Sequence, residues 1–261
     1  MPTLRVLCLH GFRTNVQVMQ DQLRPLEQAL GPDAEFVYLN GPFEAEREAF
    51  AGIEEHYKES RPFYEWMRYY IGDSTTSTDL MPKDIAKIRK QAGADTNKWP
   101  LRYGGIEQAI EYLDAQLEAL GPFDVAVSFS QGGLMLTVYA MWCLEKRNKR
   151  PWKLAVISNT SRIHGYNVKH LFEAPDGREI LVPFPSVHLV GKKDPIREES
   201  LRLVPMYDPH PTGSPTGRVV LEHEEGHRFP SFKRNKELYA TLASLMNQYR
   251  SDSASAVASR L

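Results

Sequence analysis

Cysteine is scarce in this chain of 261 residues: there are only two, Cys8 and Cys143, and both sit in apolar segments. That excludes a disulfide framework as the organising device and points to reduced, buried thiols. A mid-strand position raises a thiol's pKa and blocks access, which argues against Cys8 as a nucleophile. Charge of one sign is also lacking, since 32 Lys and Arg face 33 Asp and Glu. No net field therefore selects nucleic acid or an anionic membrane, and the expected partner is a small molecule. No apolar run approaches the roughly 18 residues that span a bilayer. The opening MPTLRVLCLHGF has neither the long apolar core nor the small-residue cleavage site of a secretory signal, so a cytoplasmic location is expected. No internal repeat is visible.

What is present is the composition of a globular protein, 42% hydrophobic and 25% charged, with length for one large domain. Leu4 to Leu9 reads as a buried strand, and Val16, Met19, Leu23, Leu26 and Leu30 then recur at spacings of three and four, one face of a helix stopped by Gly31-Pro32. A second strand, Phe36 to Leu39, follows. Ile106, Ile110, Leu113, Leu117 and Leu120 repeat the helical spacing before Gly121-Pro122. Val125 to Phe129 is the next strand and Gln131 to Leu144 the next helix. Leu154 to Ser158, Val187 to Val190 and Val219 to Leu221 read as further strands, and a last helix carries Leu238, Leu242, Leu245 and Tyr249 on one face. Strand alternating with helix predicts an α/β fold with a mostly parallel, doubly wound sheet. One domain is expected over residues 1–250, with a flexible small-residue tail at 251–261.

Residues 41–102 interrupt the rhythm and read as an inserted, lid-like segment: a charged stretch, the aromatic cluster PFYEWMRYY and a polar run. A connection of this length is functional or mobile when it lacks regular structure. Two readings of its aromatics stand side by side. Phe63, Tyr64 and Trp66, with Met67, Tyr69 and Tyr70, line an acyl pocket, or they pack the insertion onto the body.

Acyl transfer by a serine needs a base within reach, an acid to orient the base and donors for the oxyanion. In VAVSFSQGG, Ser130 falls directly between a predicted strand and a predicted helix, where a sharp turn holds its oxygen clear of the sheet. Gly132 supplies one small flank of G-x-S-x-G, but Ser128 stands where the first glycine belongs. Asp194 in LVGKKDPI and His227 in LEHEEGHRFP each follow a predicted strand, so both project from the same carboxyl edge as Ser130. The order Ser, Asp, His is that of an α/β-hydrolase. On this reading His227 takes the Ser130 proton, Asp194 holds the imidazole tautomer, and water cleaves an acyl-enzyme. The turn at His10-Gly11 ends the first strand, so the backbone N–H groups of Phe12 and Gln131 are the expected oxyanion donors, with His10 beside the substrate pocket. The route requires no metal and no cofactor.

His223-Glu224-Glu225-Gly226-His227 also fits H-E-x-x-H, a zinc-protease pattern. That chemistry needs a helix so that both histidines share a face, whereas RVVLEH reads as a strand and Gly226 and Pro230 oppose a helix. His56, His164, His170, His188 and His210 show no ligand-like spacing and read as surface or hydrogen-bonded residues. Lys146, Arg147, Lys149 and Arg150 crowd a helix-to-strand connection and read as a solvated loop.

With these motifs the chain resembles the family of serine hydrolases abbreviated FSH, which includes fungal, plant and animal esterases and some polyketide-releasing thioesterases. LCLHGFRTN resembles the family's oxyanion segment, YGGIEQAIEYL its helix before the nucleophile, SFSQGG its nucleophile turn, GKKDPI its acid loop and EGHRFP its histidine loop. The resemblance implies an α/β-hydrolase fold with Ser130, Asp194 and His227 as the triad. Ser128 departs from the family's usual glycine, and the insertion looks longer than the family norm.

The expected activity is hydrolysis of carboxylic esters of small-molecule acyl substrates. A thioesterase acting on acyl-CoA or carrier-bound acyl groups is the near alternative, because both reactions pass through the same acyl-enzyme. A non-catalytic binding protein on a hydrolase fold is the alternative of another class. Ser259-Arg260-Leu261 resembles a variant of the S-K-L address, so a peroxisomal location stands beside the cytoplasmic one.

Overall fold

The computed structural model describes residues 3–71, 84 and 101–250. The elements of the body are, in chain order, β1 (Leu4–Leu9), α1 (Val16–Leu30), β2 (Ala34–Leu39), the short strands β3 (Phe43–Glu44), β4 (Tyr64–Glu65), β5 (Arg68–Ile71) and β6 (Leu101–Gly104), with α2 (Ala51–Tyr57) between β3 and β4. Then come α3 (Ile106–Leu120), β7 (Val125–Phe129), α4 (Gln131–Arg147), β8 (Leu154–Ser158), β9 (Ser186–Gly191), α5 (Arg197–Leu203), β10 (Arg218–His223) and α6 (Lys236–Asn247). Six strands form one sheet in the order β10-β9-β8-β7-β1-β2, and every neighbouring pair is parallel.

Side chains of a strand alternate between its faces, and both faces of this sheet are covered, so its inner strands β1, β7, β8 and β9 are buried almost throughout and are mostly apolar. Leu7, Leu9 and Ala126 enter one core with residues of α3 and α4. Leu4, Val6, Cys8, Val125 and Val127 enter the other with residues of α1 and α6. The apolar face of α1 buries Val18, Met19, Leu23, Leu26 and Leu30. Asn15 caps that helix by accepting the Val18 N–H at 3.1 Å. Cys8 and Cys143 are both free and buried, and burial raises the Cys8 thiol well above its ordinary pKa. Among the described residues no helix is long and apolar enough to cross a membrane.

Two features position the site. The chain runs from β1 to β2 on one side and returns to β7 on the other, so the carboxyl ends of β1 and β7 flank the point where the winding reverses. The described part of the expected insertion carries regular structure: β3 pairs with β4 and β5 with β6, both antiparallel. Trp66, Met67, Tyr69, Leu101 and Tyr103 join the main core. The polar run from residue 72 onward and the tail at 251–261, with Ser259-Arg260-Leu261, lie outside the described residues.

Candidate active site

Ser130 sits between the end of β7 and the start of α4 with φ 50° and ψ −116°. A positive φ at a non-glycine residue is strained and persists only where the surroundings impose it. Here the Ser130 N–H donates to the Ser158 carbonyl at 2.9 Å, and the Thr160 hydroxyl donates to the Ser130 carbonyl at 3.0 Å. Close approach explains Gly132, because a Cβ there stands 2.4 Å from the Leu9 oxygen and 2.5 Å from the His10 oxygen. Ser128 is accommodated without a first glycine. It is wholly buried and its hydroxyl donates to the Val156 carbonyl of β8 at 3.2 Å.

His227 lies in the loop after β10. Its Nε2 is 3.0 Å from Ser130 Oγ and its Nδ1 is 2.8 Å from Asp194 Oδ2. Asp194, in the turn after β9, has no exposed side-chain surface, and its Oδ1 accepts the Ile196 N–H at 2.8 Å. A carboxylate only accepts, so the neutral imidazole carries its proton on Nδ1 and offers Nε2 as acceptor toward the serine hydroxyl. The His227 ring also packs against Phe129, with centroids 4.9 Å apart. This arrangement suits a base that takes a hydroxyl proton. The strands thus bring Ser130, Asp194 and His227 together from three distant stretches of sequence.

Asn159, at the carboxyl end of β8, is a supporting residue that sequence reasoning missed. Its Oδ1 accepts the Gly191 N–H and its Nδ2 donates to the Arg228 carbonyl, both at 2.9 Å. It therefore ties the acid loop to the histidine loop. Its φ is 48°, a conformation that asparagine tolerates better than most residues. The only signal in the sequence is its place directly after a predicted strand.

The turn after β1 brings His10, Gly11 and Phe12 beside the serine: a Cβ on Gly11 would lie 3.6 Å from Ser130 Cβ. Among the described residues no protein acceptor takes the backbone N–H of Phe12 or of Gln131, the first residue of α4. His10 was expected beside the substrate pocket. It is wholly buried, its Nε2 accepts the Gly41 N–H at 2.9 Å and its Nδ1 donates to the Gly11 carbonyl at 2.7 Å. Burial lowers its pKa to about 4, so it stays neutral. Two of the aromatics named for the pocket or for packing are buried as well. Phe63 packs with Val18 and Ala49, and Trp66 is fully buried with its indole N–H donating to the His10 carbonyl at 3.0 Å. Tyr64 is half-buried.

His223 ends β10 and its Nδ1 accepts the Glu225 N–H at 3.3 Å, whereas His227 turns to Ser130. The H-E-x-x-H match thus lies on a strand end and bend, and its two histidines have different partners. Within the basic cluster, Arg147 pairs with Asp114 and Glu118. Arg147, Lys149 and Arg150 line a cavity of about 520 Å³ with Trp152 and Tyr139. That cavity opens beside the starts of β7 and β8, the sheet edge opposite Ser130.

A parallel doubly wound sheet that presents a serine on a strained strand-to-helix turn at its switch point has the α/β-hydrolase fold. Residues 1–239 match the family described as Serine hydrolase (FSH1), and the chain belongs to that family of enzymes. Among its relatives, Esterase OVCA2 of Danio rerio is 25% identical over 244 residues, 90% of this chain and 94% of that protein. Esterase C25G4.2 of Caenorhabditis elegans is 26% identical over 243 residues, 92% of each chain. The crystal structure of esterase PE8 shares the fold, with a TM-score of 0.53 at 18% identity over 94% of this chain and 96% of that one.

Proposed function

We propose that this serine hydrolase cleaves carboxylic esters of small-molecule acyl substrates, with Ser130 as nucleophile, His227 as general base and acid, and Asp194 as the group that orients the imidazole. The observation that carries the reading is the unbroken series Ser130 Oγ, His227 Nε2, His227 Nδ1, Asp194 Oδ2, with spacings of 3.0 and 2.8 Å across its two hydrogen bonds. His227 takes the Ser130 proton as Oγ adds to the ester carbonyl, and the oxyanion is received by the N–H groups of Phe12 and Gln131. The proton passes from His227 to the departing alcohol, leaving an acyl-enzyme. Water, deprotonated by the same nitrogen, then releases the acid and restores Ser130.

The names of relatives favour oxygen esters, since both are esterases. A thioester follows the same route with a thiol leaving. The test is labelling with a fluorophosphonate, which reacts only with an activated serine. Wild type is expected to be labelled and Ser130→Ala not. An unlabelled folded wild type favours a non-catalytic binding protein, and equal labelling of the variant moves the nucleophile elsewhere. A panel of p-nitrophenyl esters and acyl-CoA thioesters of graded length then ranks the two substrate classes.

A further inference from the structure

We propose that residues 64–67 form a clasp that fixes both turns of the oxyanion hole, and that the side chains of Gln131 and Trp66 are positioning residues for the reaction. This inference rests on the hydrolytic reading above and assigns to part of the insertion a role in rate, beside the acyl-pocket and packing readings of its aromatics.

Five contacts converge on these four residues. Gln131 is 1% exposed and its side-chain amide is used at both ends: Oε1 accepts the Trp66 N–H and Nε2 donates to the Met67 carbonyl, each at 2.8 Å. These two bonds hold the turn that contributes the Gln131 backbone donor. On the other side, the Trp66 indole N–H donates to the His10 carbonyl at 3.0 Å, and the Tyr64 N–H donates to the Thr14 carbonyl at 2.7 Å. Glu65 Oε1 accepts from Arg13 Nε at 2.7 Å in a pair that is almost fully buried. Those three contacts bracket Phe12, which contributes the other donor, and they hold Arg13 at a φ of 50° that few side chains adopt freely. One short segment thus grips the turns after β1 and β7 together, in addition to the bonds that Gly41 and Glu48 make to His10 and Arg13.

The physical consequence concerns the transition state. Oxyanion donors act only when already aimed at the place where the charge develops, and a displacement of about 1 Å costs on the order of a hundredfold in rate. A buried amide with both ends engaged has a single orientation. A clasp of this kind supports the tetrahedral intermediate and leaves ground-state binding alone. Mere packing would support neither selectively.

The experiment uses the full chain with Gln131→Met, which keeps volume and backbone N–H but removes both side-chain bonds, and Trp66→Phe, which removes the indole donor alone. Active sites are counted with the fluorophosphonate, kcat and KM are measured on p-nitrophenyl acetate, and affinity is measured for an alkyl trifluoromethyl ketone, whose serine adduct carries an oxyanion. Expected is a fall in kcat per titrated site of about tenfold or more in each variant, KM within about threefold, and ketone affinity falling in parallel with kcat/KM. The inference is overturned if kcat per site stays within about twofold of wild type, or if activity is lost only through fewer titratable sites or a higher KM. If Gln131→Met does not fold, Trp66→Phe decides by the same criteria. A wild type that takes no label would instead overturn the hydrolytic reading, and this inference with it.

Discussion

Asp194 and His227 meet through a single hydrogen bond, Oδ2 to Nδ1 at 2.8 Å, while the other carboxylate oxygen of Asp194 is occupied by the Ile196 N–H at 2.8 Å. The acid is thereby oriented by its own turn before it orients the imidazole.

Asp194→Asn tests that relationship. The amide has a single oxygen, and when that oxygen is kept as the acceptor for the Ile196 N–H the group facing His227 is an NH₂. An NH₂ there drives the imidazole proton to Nε2, which no longer accepts from Ser130. The expected loss in kcat is about 10³- to 10⁴-fold with a nearly unchanged melting temperature, measured by ester hydrolysis and thermal unfolding. A loss below tenfold would remove Asp194 from the role of orienting acid.

How far this site was legible depends on the range of the interactions. Ser130, Asp194 and His227 were readable because each follows a strand whose apolar run is local, and parallel strands put all their carboxyl ends on one edge. The amphipathic periods of α1 and α3 were equally visible. The helix expected over Gln131 to Leu144 is present as α4, although it is buried on nearly every side and its run from Leu134 to Met141 carries no helical stripe. The short strands β3 and β4, of two residues each, are too brief for alternation to register. The choice between pocket and packing stayed open for Trp66 because the acceptor of its indole, the His10 carbonyl, lies 56 positions away. Ser128 looked like a flaw for the same reason, since the Val156 carbonyl that receives its hydroxyl belongs to another strand.

Acid should weaken the fold through buried histidines. Desolvation lowers the His10 pKa from 6.5 to about 4, and desolvation followed by the Arg218 charge lowers that of His188 to about 3. The unfolded chain takes up these protons below about pH 6.5 while the folded one does not, so the neutral rings contribute stability that is complete above pH 6.5 and lost as pH falls toward 4. For His10 the loss is about 3 kcal/mol. The measurement is melting temperature between pH 7 and 4. His188→Phe keeps a ring against Tyr207 and should flatten the acid slope; an unchanged slope would show that His188 does not contribute.

Asn159→Ala removes the side chain that joins the acid loop to the histidine loop. It leaves the Gly191 N–H and the Arg228 carbonyl without their partners and places alanine at a positive φ. The expected cost is about 2–3 kcal/mol, read from denaturant unfolding. Fluorophosphonate labelling should slow as well, because Arg228 adjoins His227. Full stability with slow labelling would show that Asn159 acts only on the loops, and normal rates would show that it acts only on the fold.

Gly132 joins the nucleophile turn to the oxyanion turn, and Gly132→Ala tests whether the two move as one. The added methyl would meet the Leu9 and His10 carbonyl oxygens at 2.4 and 2.5 Å, both backbone atoms that cannot rotate away as a side-chain tip would. Either α4 is pushed away from the end of β1 or the His10-Gly11-Phe12 turn yields, and both movements separate the Phe12 N–H from the Gln131 N–H. Overpacking of this kind costs about 1–3 kcal/mol, which a protein of ordinary stability survives. The expected result is therefore a folded protein with a fluorophosphonate labelling rate lowered by about a hundredfold. Ser130 and His227 would still be present in such a variant, so a rate close to wild type would mean that the spacing of the two turns does not govern catalysis.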